Sequence, residues 1–170
     1  MEKTGLKIKL LGDPALRKKA SCLRKVTPQH RRTLSLMAQL MYENSGIGLA
    51  ASQIGISEAM IVVDIGKGLY KLINPQIVKR QGKMILQEGC LSVPGICVNV
   101  RRAKKILLEA LDVEGNPLTI EAEDLLACVF QHEIDHLRGK LIIDHASILE
   151  KIKLKKKIEK IKKSAASYLV

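Results

Sequence analysis

Aromatic side chains are nearly absent from this 170-residue chain, which has no tryptophan, one phenylalanine and three tyrosines. That scarcity removes the usual supply of rings for stacking unpaired bases, so sequence-specific reading of single-stranded nucleic acid is not expected. Any contact with RNA would run through phosphates. Long apolar runs are also missing. The longest, Leu125 to Phe130, has six residues, against roughly 18 for a bilayer-spanning helix. The first ten residues, Met1 to Leu10, lack the apolar stretch and cleavage site of a secretory signal. Together these absences lead to the expectation of a cytoplasmic protein with no membrane association. In that reducing compartment Cys22, Cys90, Cys97 and Cys128 are expected as thiols, metal ligands or nucleophiles rather than disulfide halves. Acidic residues are in short supply too: 17 Asp and Glu against 29 Lys and Arg leave a net charge of +12. Such an excess costs a folded domain self-repulsion and draws it toward anionic partners.

What is present suits one globular domain, since 46% of residues are hydrophobic and 27% charged. Thr27-Pro28 opens a helix, Leu34, Met37 and Met41 recur at helical spacing, and Asn44-Ser45-Gly46 closes it. Strand-like segments follow at 59–64, 69–73, 83–86 and 105–111, and Gly115-Asn116-Pro117 makes a turn before a short strand ending at Ile120. Helical patterning returns over 122–137. Ser147 and Glu150 form a capping box that starts a last helix at about Ile148. The order predicts an α+β fold in which small antiparallel sheets pack around a central helix, flanked by an N-terminal helix and a basic C-terminal one. Residues 1–147 are expected as the catalytic unit and 148–170 as a basic helical tail of the same domain. Within that tail Ile148, Leu149 and Ile152 fall on one side and Leu154, Ile158 and Ile161 roughly opposite. The expectation is that the first turn packs on the domain and the rest projects.

Three segments carry chemistry. In His132-Glu133-Ile134-Asp135-His136, the helical i, i+4 spacing lets both imidazoles reach one cation, with Glu133 placed beside it as a base. A catalytic site of this type takes a third protein ligand and a water. Cys128, four residues before His132, is excluded by geometry, because ligands at i, i+4 and i+8 span roughly 12 Å of helix while each metal bond is about 2 Å. Ile142 stands where a downstream third histidine would fall, and Glu159 lies inside the lysine tail. Of the remaining cysteines Cys90 is the best candidate, in Glu88-Gly89-Cys90-Leu91-Ser92, where the glycine permits close backbone approach. A thiolate with two imidazoles is a soft set that suits Zn2+ or Fe2+ rather than Mg2+. The third segment, Gly46-Ile47-Gly48-Leu49-Ala50-Ala51-Ser52-Gln53, reads either as a helix stop with a tight turn or as a site where small residues admit a substrate backbone. In the second reading the Gln53 amide faces a developing oxyanion.

Together these segments resemble the peptide deformylase family, whose motifs Gly-x-Gly-x-Ala-Ala-x-Gln, Glu-Gly-Cys-x-Ser and His-Glu-x-x-His all occur here complete and in order. The resemblance runs from about Lys9 through His145 and includes Asn74-Pro75 and Arg102. It implies hydrolytic removal of the formyl group from N-formylmethionyl nascent peptides, with release of formate. It further implies Cys90, His132 and His136 as metal ligands, with Fe2+ as the resident ion and Zn2+ or Ni2+ able to substitute. By the same resemblance Glu133 is the general base, and the Gln53 amide and the Leu91 backbone N–H stabilise the oxyanion. Ile47, Leu86, Leu125, Cys128 and Val129 would line the pocket for the methionine side chain, with Gly48 and Glu88 also on the substrate side. One position departs: Cys97 stands where several bacterial members carry an arginine, so an arginine contact to substrate carbonyls is expected to be missing. A general metallopeptidase is the alternative enzyme reading, and a catalytically weak RNA-binding relative the alternative of another class.

Residues 150–163 hold eight Lys against two Glu, half of the chain's whole charge excess. A solvated helix face is the plain reading. Some bacterial deformylases use a basic C-terminal helix to bind the ribosome, so the resemblance implies a ribosomal partner for this segment.

Overall fold

The computed structural model describes residues 5–167, with side chains to 163. Residues 1–4 of the expected catalytic unit and 168–170 of the expected tail lie outside them.

Helix α1 (Pro28–Glu43) begins where Thr27 donates its backbone N–H to His30 Nδ1 at 3.0 Å. It buries Leu34, Met37, Ala38 and Met41, the i, i+3, i+4, i+7 stripe of an amphipathic helix. Strands β1 (Gly48–Ala50), β2 (Met60–Val63), β3 (Tyr70–Gln81), β6 (Lys105–Leu111) and β7 (Pro117–Glu123) form an antiparallel sheet in the order β1-β2-β3-β6-β7. β2, Met-Ile-Val-Val, is buried throughout, whereas β6 turns Ile106, Leu108 and Ala110 inward in the period-two pattern of a half-buried strand. A separate hairpin pairs β4 (Met84–Glu88) with β5 (Val98–Arg102). Helix α2 (Asp124–Leu137) lays Ala127, Phe130, Ile134 and Leu137 into the core of the larger sheet. The α+β architecture around a central His-Glu-x-x-His helix is as the sequence predicted.

Besides β7 running on to Glu123, over the first residues expected in α2, three details differ from the sequence reading. β3 runs eight residues past Ile73, through Asn74-Pro75. The chain accommodates a proline there because the register shifts between Ile73 and Gln76, and Asn74 takes a left-handed φ of 52°. The Asn74 side chain secures that kink by bonding both the N–H and the C=O of Leu23 at 2.8 Å. β1 and β5 were not expected, the first because it is only three residues long, the second because its inward positions end on a buried arginine, Arg102.

The third difference is a reversal. Helix α3 (Ile148–Ser167) starts at the expected capping box, where the Ser147 N–H donates to Glu150 Oε2 at 2.8 Å and the Glu150 N–H donates to Ser147 Oγ at 3.2 Å. Yet Ile148, Leu149 and Ile152 are 79%, 71% and 65% exposed. Leu154, Ile158 and Ile161 instead pack on the cluster built from Leu11, Leu16, Val93, Ile96, Val98 and Val100. The later turns therefore lie along the body, close enough that a Cβ on Gly12 would sit 3.4 Å from the Lys162 Cα.

Candidate active site

The two faces of α2 divide its work. Opposite the core stripe, His132 and His136 bring their Nε2 atoms within 3.1 Å of each other, and Cys90 places Sγ 3.3 Å from His136 Nε2. The three ligand atoms all lie within 4.8 Å of one another. Cys90 arrives from the turn after β4, held by the Val93 N–H donating to the Cys90 carbonyl at 2.9 Å.

This donor set fits a soft divalent ion. The His132 ring is oriented for it: Nδ1 lies 2.9 Å from Glu88 Oε2, so its N–H donates there and the Nε2 lone pair is left for a cation. Glu88 is fixed in turn by buried Arg102, whose Nε and Nη2 donate to its two oxygens at 2.7 and 2.9 Å. Burial pushes the Glu88 carboxyl up, but Arg102 and His132 outweigh it and hold the pKa at about 2. Glu88 borders the cavity, and both its oxygens are taken up by Arg102 and His132.

Glu133 is buried, and burial lifts its pKa to about 7 against the opposing pull of His132. Its Oε2 has no hydrogen-bond partner among the described residues. A buried carboxylate with an uncommitted oxygen and a near-neutral pKa is suited to receiving and returning a proton. Its neighbour explains one glycine: a Cβ on Gly48 would overlap Glu133 Oε1. Gly46 has a similar reason, because its Cβ would lie 2.8 Å from Leu91 Cδ1. The loop is a close-approach site and also closes α1, the Gly46 N–H donating to the Met41 carbonyl at 2.9 Å.

Gln53 sits in the 3-10 turn Ala51–Ile54, its Oε1 accepting the Ala50 N–H at 2.8 Å. That fixes the amide so that Nε2 faces the thiol, 3.7 Å from Cys90 Sγ and 3.1 Å from Ser92 Oγ. The Leu91 N–H has no acceptor among the described residues. Gln53, Cys90, Leu91, His132 and Glu133 border one cleft of about 440 Å3, shared by Ile47, Gly48, Leu86, Leu125, Cys128 and Val129. Every substrate-side residue read from the sequence therefore opens on the same space, and His136 is buried just behind it. Cys97 is exposed beside the cleft wall, where a Cβ on Gly89 would lie 3.8 Å from its Sγ.

Two groups were not picked out as site residues by sequence reasoning. Ser92 is fully buried and holds the Gln53 amide. Asp135 binds Arg102 Nη1 at 2.5 Å and lies 2.9 Å from His145 Nε2, extending the chain of polar contacts behind His132. The strict alternation of β5, which places Arg102 on the inner face, is the signal that could have found this network.

Among the described residues no helix is long and apolar enough to cross a membrane. A family model described as polypeptide deformylase matches residues 6–152. The peptide deformylase of Thermoanaerobacter pseudethanolicus is 48% identical over 139 residues, covering 82% of this chain and 87% of the relative. A crystal structure of a peptide deformylase from Legionella pneumophila superposes with a TM-score of 0.87 at 41% identity, covering 95% of this chain and 97% of that one. A peptide deformylase from Synechococcus elongatus, solved in complex with actinonin, gives a TM-score of 0.87 at 38% identity over 92% and 90% of the two chains. With matches of this extent in sequence and in fold, converging on the cleft that holds all three motifs, the chain belongs to the polypeptide deformylase family.

Proposed function

We propose that the reaction of this family, hydrolysis of the formyl amide on an N-terminal formylmethionine with release of formate, is carried in this chain by Glu133, Gln53 and Leu91. They act around a divalent ion held by Cys90, His132 and His136. The observation that supports this most is the meeting of three soft ligand atoms with an uncommitted, near-neutral carboxylate in one cleft. The ion would supply positive charge that acidifies water and polarises a carbonyl. Glu133 accepts the proton of the water that attacks the formyl carbon and returns it to the leaving amine. The Gln53 amide and the Leu91 N–H stabilise the oxyanion as it forms. Ile47, Leu86, Leu125, Cys128 and Val129 receive the methionine side chain, an apolar and partly sulfur-lined wall that suits a thioether. β1 is an edge strand, so an extended peptide adds alongside Gly48 by main-chain pairing.

Anaerobically prepared protein loaded with Fe2+ is expected to release formate from formyl-Met-Ala-Ser and to leave unblocked Met-Ala-Ser intact. Absence of formate, or cleavage of internal peptide bonds instead, would overturn the reading. Fe2+ is the proposed resident ion, with Zn2+ or Ni2+ able to substitute, and metal analysis of the same preparation tests that assignment.

The chain is further proposed to work in the cytoplasm, with 1–147 as the catalytic unit and 148–170 as a basic element that docks on ribosomal RNA phosphates. Support comes from the packing of α3: with Leu154, Ile158 and Ile161 turned to the body, Lys153, Lys156 and Lys157 are presented outward. Replacing these three by Glu should weaken ribosome binding and flatten its salt dependence, the slope falling by roughly one for each phosphate that is no longer neutralised. Formate release from short peptides should stay unchanged. Ribosome binding equal to that of the parent chain would remove the docking role.

A further inference from the structure

Behind the metal ligands, on the side away from the cleft, lies a second and much smaller cavity of about 120 Å3. Its walls include Arg80 from β3, Arg102 from β5, and Gln131, Asp135 and Arg138 on or just after α2. Three arginines lining one small space carry like charges that repel one another, so they need a reason to share it. Arg102 has part of that reason in Glu88 and Asp135. Arg80 and Arg138 have none: neither side chain makes an ion pair or hydrogen bond among the described residues, and both are exposed at the mouth.

The donor inventory at the base of the cavity points the same way. A guanidinium has five N–H donors. Arg102 uses three, two to Glu88 and one to Asp135, so two remain without a partner on a side chain only 5% exposed. Gln131 cannot absorb them. Its Oε1 already accepts the Ala103 N–H, and its Nε2 donates to the carbonyls of Ala103 and Ala127. Asp135 in the wall is balanced by Arg102 and lies 2.9 Å from His145. Three guanidiniums thus face two carboxylates, Asp135 and Glu88, and positive charge is left over at a site with spare buried donors.

We propose that this cavity is an oxyanion site that takes a phosphate group, with Arg80 and Arg138 closing on it from the mouth and Arg102 donating from below. Planar guanidinium forks match the spacing of phosphate oxygens and bind them in pairs. At about 120 Å3 the cavity is small, with room for a phosphate but not for a nucleoside. Arg102 also links the site to the metal centre, because its other edge holds Glu88, which orients His132.

Titration calorimetry on the Zn2+-loaded protein, with inorganic phosphate added at constant ionic strength against a chloride control, tests the proposal. Saturable binding of phosphate is expected. The double variant Arg80→Ala/Arg138→Ala should weaken it by at least about tenfold, since each charge-assisted contact contributes on the order of a factor of ten. Both side chains are exposed and unpaired, so the variant should keep the parent's thermal midpoint and its KM for formylated peptide. A parallel titration with glycerol 3-phosphate separates the sources: equal affinity assigns the site to the phosphoryl end of a larger molecule, weaker affinity to free phosphate. No saturable heat in the parent chain, or phosphate binding that survives the double substitution and so belongs to the metal centre, would overturn the proposal.

Discussion

Helices α2 and α3 are both amphipathic, both carry charge, and both pack one stripe on the body, yet they differ in how tightly residue identity fixes their placement. On α2 nearly every position has a single tenable direction. Ala127, Phe130, Ile134 and Leu137 enter the sheet core, and His132 and Glu133 then face the cleft, with His136 buried just behind it. On α3 two apolar stripes compete, and the one that docks contains Leu154, Ile158 and Ile161 while the other stays in water. Chemically distinct residues at fixed spacing determine a helix face. Interchangeable aliphatic residues do not.

The sharpest test of that difference is on α2 and its neighbour strand. Glu133→Ala should keep its metal and lose formate release by about 10²- to 10⁴-fold, the range associated with a positioned general base. Gly48→Ala should lose turnover by roughly 10²-fold without touching any ligand, because the added methyl group displaces the Glu133 carboxylate. Steady-state formate release alongside metal content measures both. If Gly48→Ala retained parental kcat, the tight fit between β1 and α2 would have no catalytic meaning.

On α3 the expected losses are in stability and depend on the stripe. Leu154→Ala and Ile158→Ala remove partly buried packing against the Val93–Val100 cluster and should each cost about 1–2 kcal/mol, less than the full-burial range. Ile148→Ala and Leu149→Ala, on the exposed stripe, should stay within about 0.5 kcal/mol. Equilibrium denaturation of the four variants decides it, and equal effects on both stripes would show that the helix has no preferred docking face in solution.

The contrast also explains what could be read from the sequence. The His-Glu-x-x-His spacing, the thiol in its Gly-Cys turn and the glycines before Gln53 each carry a constraint of distance or steric bulk that only a few residue types satisfy. The architecture follows from periodicity, but the period ends at Ile73 whereas β3 continues through Asn74-Pro75, and only the Leu23 backbone bonds show how it does so. The Glu88–Arg102–Asp135 network stayed hidden for a different reason. Its members are charged residues on a strand and a helix, and a charge is by default assigned to the surface. Only tertiary pairing makes its burial tolerable.

The smallest effect concerns how the start of α3 is aimed. Arg17 grips Asp144 with both terminal nitrogens, Nη1 to Oδ2 at 2.5 Å and Nη2 to Oδ1 at 3.1 Å, and Asp144 also accepts the Leu141 N–H at 2.8 Å. Burial pushes the Asp144 carboxyl up, but the Arg17 and Leu141 hydrogen bonds outweigh it and leave the pKa below the ordinary 3.8. A carboxylate depressed in the folded state contributes stability that is fully present above 3.8 and is lost as pH falls through the lower folded value. Both side chains are more than a third exposed, so screening keeps the contribution within about 0–1 kcal/mol. Arg17→Ala should therefore lower the thermal midpoint slightly at neutral pH and flatten its decline below pH 4, most visibly at low salt. Because the pair sits just before Ser147, that variant should also loosen the first turn of α3 while leaving formate release unchanged. Unaltered acid sensitivity would mean that the capping box alone, not the Arg17–Asp144 bridge, holds the helix start against the body.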